Sequence, residues 1–338
     1  MCLFIGEKTG EFHSETAYFM DLETQYSPSR WSLRLDEDAV IEAHVKALSE
    51  GTRHAQAATQ TLLNVPYGMG EGEKLDVYLP KEHFETFPLV LYIHGGYWQF
   101  MSKDVSGFAA WPLTTRGIAL AAVGYDVAPK GQLEVMVRQV RHSVAFAVQQ
   151  YTGISGIYLL GHSAGAHLAA MVLSTDWTEF GIVPNIKGAF LVSGIYDLEP
   201  ITHIYVNDVL RMTREVALQN SPLQCVPKLE GKRTCQVLVA VAQHDSPEFH
   251  RQSQEYFEAL RAAGWSASLL DIGDTDHFDV IEKLSQEDYL LTQVSKGVSK
   301  ALDLAQRAAR PLHLFPAPYQ TKTQKLHFGP SMKWPPDR

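Results

Sequence analysis

Apolar residues are arranged in two different patterns along the chain. One pattern consists of short, nearly continuous apolar runs, which are typical of strands buried on both faces of a parallel sheet. The sequences LLNVPYG and KLDVYLP look like two strands, and the nearly continuous apolar runs that follow are PLVLYIHGG, IALAAVGYDVAP, GIYLLGHS, IKGAFLVSGIYD, CQVLVAVAQHDS and SASLLDIGDTDH. Together these runs predict a sheet of about eight strands.

In the other pattern, apolar residues recur at helical spacing. A surface helix with an acidic start is predicted from Asp36, in DEDAVIEAHVKALSEGTRHAQA. Further helical patterns are LEVMVRQVRHSVAFAVQQY, SAGAHLAAMVLS, EFHRQSQEYFEALRAAG and FDVIEKLSQEDYLLTQVSKGVSKALDLA. Strand and helix alternate from about Leu89 onward, which predicts an α/β fold with a mostly parallel, doubly wound sheet and helices on both faces.

One domain over residues 19–305 accounts for this alternation, and no internal repeat is visible. Residues 199–230 interrupt it between two strands, so we expect a cap-like insertion over the carboxyl ends of the sheet. Residues 1–18 carry no period, and residues 306–338 are rich in proline and basic residues. Both terminal segments are therefore predicted to be flexible and to lie outside the fold.

The composition limits the kinds of partner that the protein can bind and the cellular compartment in which it is expected. The 338 residues carry a net charge of −9, which argues against nucleic acid or an anionic membrane as a partner because both bind basic surfaces. The three cysteines, Cys2, Cys225 and Cys235, are too few for a disulfide framework, and this favours a reducing compartment. With neither a signal peptide nor a long apolar span, the sequence predicts a cytoplasmic protein that binds a small molecule.

A candidate nucleophile lies at the end of one predicted strand. Gly161, Ser163 and Gly165 form a GxSxG motif directly after GIYLL and directly before a helix. This is the context of a nucleophile elbow, in which small flanking residues permit a turn sharp enough to expose the serine. We therefore predict that Ser163 is a catalytic nucleophile.

A serine hydroxyl needs a base within hydrogen-bond reach and a carboxylate to orient that base. Asp245 and His277 follow the ends of the next predicted strands, in the chain order serine, acid, histidine that this architecture uses. Asp245 could also cap the helix that starts with DSPEF, and the two roles are compatible. His167, on the helix after Ser163, is expected to pack or to support the site rather than to react.

No metal or cofactor is predicted. Asp274, Asp276 and Asp279 surround His277 and could suggest a cation site. The cluster lacks the glycine and distal glutamate of a calcium loop and the paired histidines of a zinc site. We therefore predict that this cluster does not bind a metal ion.

The sequence YIHGGYW raises the question of what two glycines do after a buried strand. Attack by Ser163 would produce an oxyanion, which needs preorganised N–H donors. We predict these donors to be the amides of Gly95, Gly96 and Ala164, with His94 anchoring the loop by hydrogen bonding. Two aromatic residues come next, and they either contact an aromatic substrate or fill the core beneath the loop: Tyr97 and Trp98.

The combination of HGG, GxSAG and the later aspartate and histidine resembles the hormone-sensitive-lipase and arylesterase branch of the α/β hydrolases. The sequences HGGYW, GHSAGAHLA, SGIYDLEPI, QHDSPEFHRQS and QYSPSRW resemble more closely the kynurenine formamidase, or arylformamidase, family. The resemblance runs from about Leu22 to about Ala305. It departs from the general lipases in having HGGYW where they have a third glycine, and GHSAG where they have GDSAG.

The resemblance implies an α/β hydrolase fold, hydrolysis of N-formyl-L-kynurenine to L-kynurenine and formate in tryptophan catabolism, and a homodimer of the cytoplasm and nucleus without a cofactor. Asn207 and the 199–230 insertion are candidates, by position alone, for binding the amino-acid end of the substrate. Two alternatives remain open. One is a carboxylesterase or arylesterase of broad range, and the other is a non-catalytic binding protein with the same fold.

Overall fold

The computed structural model describes residues 22–81, 85–226 and 235–296. The predicted flexible segments, residues 1–18 and 306–338, lie outside these ranges. Eight strands form a single sheet within them. They are β1 Gln60–Pro66, β2 Lys74–Leu79, β3 Phe87–Ile93, β4 Ala119–Val123, β5 Ile154–His162, β6 Ile186–Val192, β7 Gln236–Ala242 and β8 Ser266–Ile272.

The strand order across the sheet is β1-β2-β4-β3-β5-β6-β7-β8. Strand β2 is antiparallel to both of its neighbours, and the strands from β4 to β8 are all parallel. The order reverses between β3 and β4, so the chain crosses over at the centre of the sheet. The predicted mostly parallel α/β sheet is confirmed.

Helices cover both faces of this sheet. The α-helices in the described residues are α1 Glu37–Ala58, α2 Ala110–Thr114, α3 Leu133–Gln150, α4 Ala164–Leu173, α5 Asn207–Leu210, α6 Arg214–Gln219, α7 Pro222–Cys225, α8 Pro247–Ala262, α9 Asp279–Glu282 and α10 Leu290–Lys296. Short 3₁₀ helices span Pro28–Trp31, Lys103–Val105, Trp177–Phe180, Pro200–His203 and Lys283–Ser285. Of the helices in these ranges, none combines the length and the apolar character needed to cross a bilayer.

Alternate residues of the buried strands feed two hydrophobic cores, as the period of two requires. Along β3, Leu89, Leu91 and Ile93 face the core formed with α3, α4 and α8. Val90 and Tyr92 face the opposite core, formed with α1, α2, α9 and α10. The side chain of Asp36 caps α1 by accepting the amide of Ala39 at 2.9 Å, which explains its acidic start.

Two segments differ in detail from their sequence patterns. The helix predicted from Phe278 is broken into α9, a 3₁₀ turn and α10, and its expected extension beyond Lys296 lies outside the described residues. The insertion predicted over 199–230 contains, as far as residue 226, a 3₁₀ turn and the short helices α5, α6 and α7. Short helices of this kind obtain their stability from tertiary packing, because their length is too small for propensity to act.

The first turn of α4 lies directly against the end of β3. A Cβ atom at Gly165 would overlap the carbonyl oxygen of Ile93, and one at Gly161 would overlap the carbonyl of Gly165. Only residues without a side chain permit this approach. The glycines of the GxSxG motif therefore set how closely α4 packs on the sheet.

We expect Gly165→Ala to lower the free energy of unfolding by about 1–3 kcal/mol, because the backbone of β3 must move to accommodate the methyl group. Urea denaturation followed by circular dichroism would measure this change. Gly273→Ala is the matched control, since a Cβ there would have one neighbour, at 3.9 Å. Equal stability of the two variants would contradict the close packing of α4.

Candidate active site

The turn that carries Ser163 has the strained conformation of a nucleophile elbow. Ser163 lies between β5 and α4 with φ 54° and ψ −122°, a region that residues other than glycine rarely occupy. Its amide donates to the carbonyl of Val192 on β6 at 2.9 Å. The neighbouring strand thus helps to hold the turn, and such strain commonly marks a functional position.

Asp245 and His277 meet at the carboxyl ends of β7 and β8. The Nδ1–H group of His277 donates to Oδ1 of Asp245 at 2.7 Å, and both side chains are buried. This bond leaves Nε2 as the free nitrogen of His277. The alternative role of Asp245 as a helix cap is wrong, because Ser246 is the N-cap residue of α8 and accepts the amide of Phe249.

The second carboxylate oxygen of Asp245 is also fully used. Its Oδ2 accepts the hydroxyl of Ser193 at 2.5 Å and the amide of Ala242 at 3.0 Å. Ser193 is completely buried and has a left-handed φ of 48°. Sequence reasoning missed this residue, and the available signal was its position at the end of β6, in SGIYD.

The loop after β3 presents unused amide groups. Among the described residues, the N–H groups of Gly95, Gly96 and Ala164 have no hydrogen-bond acceptor. Gly96 has φ 92°, and its carbonyl accepts the amides of Gln99 and Phe100 at 3.1 and 2.9 Å. Gly95 and Gly96 line the same cavity as Ser163, so free amides at these positions are compatible with an oxyanion hole.

His94 supports this loop from inside the protein. Its Nδ1 lies 2.9 Å from the carbonyl of Gly95, and its ring stacks on Tyr125 at a centroid distance of 4.3 Å. The hydroxyl of Tyr125 donates to the backbone carbonyl of His94 at 2.9 Å. Burial lowers the pKa of His94 to about 4, so its ring is neutral near pH 7.

The two aromatic residues after the glycines have different surroundings. Tyr97 lines the cavity in front of Ser163, and its hydroxyl donates to the carbonyl of Tyr26 at 2.6 Å. Trp98 is completely buried and does not line the cavity. The structure therefore corrects the predicted substrate contact of Trp98 to a packing role, because its indole lies beneath the loop.

His167 links the loop to two other parts of the fold, as its expected supporting role requires. Its Nε2 donates to the carbonyl of Asn220 at 2.7 Å, so its Nδ1 is free to accept the indole N–H of Trp98 at 3.1 Å. Burial lowers the pKa of His167 to about 4, which keeps this tautomer neutral. A neutral bridge of this kind can hold Trp98 in one orientation.

One cavity opens in front of the elbow; the space between its walls and across its open mouth is about 770 Å³, part of which is bulk solvent. Ser163, His277, Gly95 and Gly96 all line it. The other lining residues are Ser27, Pro28, Ser29, Ile41, His44, Leu48, Tyr92, His94, Tyr97, Phe100, Met101, His162, Tyr205 and Phe278. The predicted nucleophile, base and amide donors thus face the same largely apolar space.

The segment before α1 forms one wall of this cavity, which the sequence pattern did not predict. Ser27, Pro28 and Ser29 line the cavity. Farther along the segment, Arg34 donates to Asp276 at 2.8 Å, one residue before His277. The segment is therefore fastened to the loop that carries the predicted base.

Asp276 is committed to this attachment rather than to a cation. It also accepts the hydroxyl of Ser32 at 2.6 Å and the amides of Phe278 and Asp279. These donors hold the pKa of Asp276 well below its usual range despite burial. In the part of the chain that the structure describes, no group of three or more histidine, cysteine, aspartate or glutamate side chains is arranged to hold a metal ion.

The insertion contributes a different residue from the one suggested by position. The side chain of Asn207 accepts the amide of Met212 at 2.8 Å and donates to the carbonyls of Met212 and Thr202. It stabilises the turn after α5 and does not line the cavity. Tyr205, two residues earlier, is the lining residue from this segment.

The strand order, the strained serine turn and the buried aspartate–histidine pair define this protein as an α/β hydrolase. The fold is shared with esterase B from Lactobacillus Rhamnosis, with a TM-score of 0.63, 18% identity and coverage of 88% of this chain and 98% of that chain. A Pyrobaculum calidifontis esterase gives a TM-score of 0.59 at 18% identity, over 87% of this chain and 99% of that one.

Similarity in sequence is more specific. The chain is 60% identical over 275 residues to a kynurenine formamidase of Danio rerio, covering 81% of this chain and 94% of the relative. A kynurenine formamidase of Salmo salar is 59% identical over 276 residues, with the same coverages. The BD-FAE family model matches residues 75–216. The chain belongs to the kynurenine formamidase family, as its motifs indicated, and is a hydrolase.

Ser193→Ala should lower kcat about 3- to 10-fold with little change in KM, because Asp245 loses one of three hydrogen bonds that fix its carboxylate. Asp245→Asn should have a far larger effect, about 10⁴-fold, since an amide favours the wrong imidazole tautomer. Hydrolysis of p-nitrophenyl acetate would measure both.

Ser143→Ala is the control for loss of a buried serine hydroxyl, because Ser143 bonds only within α3, to the carbonyl of Val140 at 2.7 Å. If Ser193→Ala and Ser143→Ala had the same kcat, Ser193 would have no role in positioning Asp245.

Proposed function

We propose that this protein hydrolyses the formamide of N-formyl-L-kynurenine, giving L-kynurenine and formate, through a catalytic triad of Ser163, His277 and Asp245. The observation that carries the proposal is the cavity itself, in which Ser163, His277 and unpaired loop amides face one apolar space. Membership of the kynurenine formamidase family supports the choice of substrate.

In the first half of the reaction, the Ser163 oxygen forms a bond with the formyl carbon while Nε2 of His277 takes the hydroxyl proton. The carbonyl electron pair moves to oxygen, and the amides of Gly95, Gly96 and Ala164 stabilise the resulting oxyanion. His277 then donates its proton to the nitrogen as the C–N bond breaks. L-Kynurenine leaves as an aryl amine, and a formyl ester remains on Ser163.

In the second half, water attacks the formyl ester with His277 as the base. The C–O bond to Ser163 breaks, the serine recovers its proton from His277, and formate is released. Asp245 keeps its bond to Nδ1 throughout, so Nε2 is always the nitrogen that exchanges the proton. The full Oδ2 coordination by Ser193 and Ala242 fixes the carboxylate for this purpose.

The cavity suits this substrate in size and in character. A formyl group needs little space beside Ser163, where Gly95 lies close to the elbow. The aromatic ring would lie among apolar and aromatic side chains such as Phe100, Phe278 and Tyr97, which favour ring packing.

The cellular setting and the assembly are also proposed. No disulfide joins Cys225 and Cys235 in the part of the chain that the structure describes, and we propose the cytoplasm and nucleus as the location. A homodimer is proposed from the family resemblance. Light scattering coupled to gel filtration would measure the mass in solution, and a monomer at micromolar concentration would contradict the dimer.

The decisive experiment compares N-formyl-L-kynurenine with p-nitrophenyl acetate as substrates for the wild type and for Ser163→Ala. We expect the wild type to cleave the formamide with the higher kcat/KM and the variant to lose about 10⁴-fold or more of its kcat. Ser174→Ala, at the far end of α4, is the control because its hydroxyl bonds only to the carbonyl of Met171.

Ester cleavage without formamide cleavage would make the protein a carboxylesterase. Absence of turnover together with absence of labelling at Ser163 by a serine-directed phosphonate would make it a non-catalytic binding protein. Full formamidase activity in a pure Ser163→Ala sample would place the nucleophile elsewhere.

A further inference from the structure

Helix α1 forms a wall of the cavity with one polar side chain on it. Ile41, His44 and Leu48 all line the cavity, and their spacing of three and four residues places them on one face of the helix. Ile41 and Leu48 are apolar, so His44 is the polar group that this wall offers to a bound molecule.

His44 lies one side chain away from the reacting groups. Its ring centroid is 6.2 Å from that of His162, which precedes Ser163, and 5.2 Å from that of Phe278, which follows His277. His44 is therefore close to the elbow and to the base while belonging to a different element. The reaction described above does not use it.

One nitrogen of His44 is already occupied. Nδ1 donates to Oε1 of Glu282 at 2.8 Å, and both side chains are largely buried. This bond fixes the orientation of the ring, and it leaves Nε2 as the nitrogen available to the cavity. Because the Nδ1–H group is already donated, Nε2 can donate to a bound anion only when it also carries a proton.

Charged side chains form a cluster next to His44. Arg34 bonds both Asp276 and Glu282, at 2.8 and 3.3 Å, and Lys283 bonds Asp279 at 2.8 Å. The three carboxylates in the cluster are those of Asp276, Asp279 and Glu282, and the two cations are Arg34 and Lys283. The groups that face His44 directly are the Glu282 carboxylate and the rings of His162 and Phe278.

The other polar lining residues do not offer a positive charge. Among the described residues that line the cavity, lysine, arginine, aspartate and glutamate are all absent. Burial lowers the pKa of His94 to about 4 and that of His162 well below its usual range, so both rings are neutral near pH 7. His277 already donates to Asp245, and the proposed reaction uses its other nitrogen. His44 is thus the lining histidine whose second ring nitrogen is left for a bound anion.

From this geometry we propose that His44, held by Glu282, binds the α-carboxylate of the substrate through Nε2 and so selects formamides that carry an amino-acid side chain. The proposal rests on the proposed function, because it assigns the amino-acid end of that substrate. Tyr205 and the N-terminal wall line the same cavity, and the formamide lies at Ser163.

Three substrates that share the formanilide and the ketone separate the contribution of the carboxylate from that of the ammonium group. N-Formyl-L-kynurenine has a carboxylate and an ammonium group, N-formylkynuramine has only the ammonium group, and N-(2-acetylphenyl)formamide has neither. For His44→Leu we expect KM for N-formyl-L-kynurenine to rise about tenfold, as loss of a charged hydrogen bond predicts. KM for the other two should change less than about twofold.

A second variant and a control keep the test independent of folding. Glu282→Gln preserves an acceptor for Nδ1 but removes the charge, so we expect the same selective rise in KM, only smaller. His54→Leu is the matched control, because His54 is an exposed histidine of the same helix whose ring contacts Trp111 rather than the cavity. It should leave KM for all three substrates unchanged.

Each outcome has one meaning. An equal rise in KM for all three substrates in His44→Leu would overturn the proposal, and so would a rise shared by N-formyl-L-kynurenine and N-formylkynuramine, which would indicate recognition of the ammonium group. A wild type that cleaves none of the three would instead contradict the proposed function. That failure is visible before any variant is made.

Discussion

The close approach of α4 to the end of β3 is the constraint on which the site depends. Gly165 has no side chain, so the first turn of α4 can touch the carbonyl of Ile93. Gly95 is equally close to the other strand, since a Cβ there would lie 2.8 Å from the carbonyl of His162 and 3.1 Å from Cβ of Ser163. The serine and the loop amides are thereby held together by backbone contact, which does not rely on flexible side chains.

Around this contact the protein uses histidines in two different ways. His94, His162 and His167 are buried, their pKa values are lowered by desolvation, and each donates to a backbone carbonyl. These three histidines are neutral, and their hydrogen bonds to backbone carbonyls hold the loops in place. His277 instead donates to the carboxylate of Asp245, which stabilises the imidazolium that proton transfer would create. The supporting histidines thus donate to backbone carbonyls, whereas the histidine predicted to transfer a proton donates to a carboxylate.

The N-terminal segment joins elements that are far apart in the chain. The hydroxyl of Tyr26 donates to Glu248 on α8 at 2.9 Å and accepts from Gln252 at 2.7 Å, while Arg34 bonds Asp276 near β8. The carboxyl ends of β7 and β8 are therefore tied to the segment that walls the cavity.

Much of the fold and several site positions followed from local sequence. Continuous apolar runs specify buried parallel strands, because such strands have no solvent-facing side, and the six strands from β3 to β8 were located in this way. Ser163, Asp245 and His277 could be named because each follows the end of a strand, and parallel strands bring those ends to one edge of the sheet. The motifs also placed the chain in its family.

What the sequence alone determined was therefore the set of elements and the residues at their ends, since both are encoded by neighbours in the chain. Tertiary structure alone decided that Ser193 bonds Asp245, that Trp98 is buried beneath its loop, and that His44 and the segment before α1 enclose the cavity. These contacts join residues from different elements. No local pattern records them, because side-chain direction and burial depend on how the elements pack together.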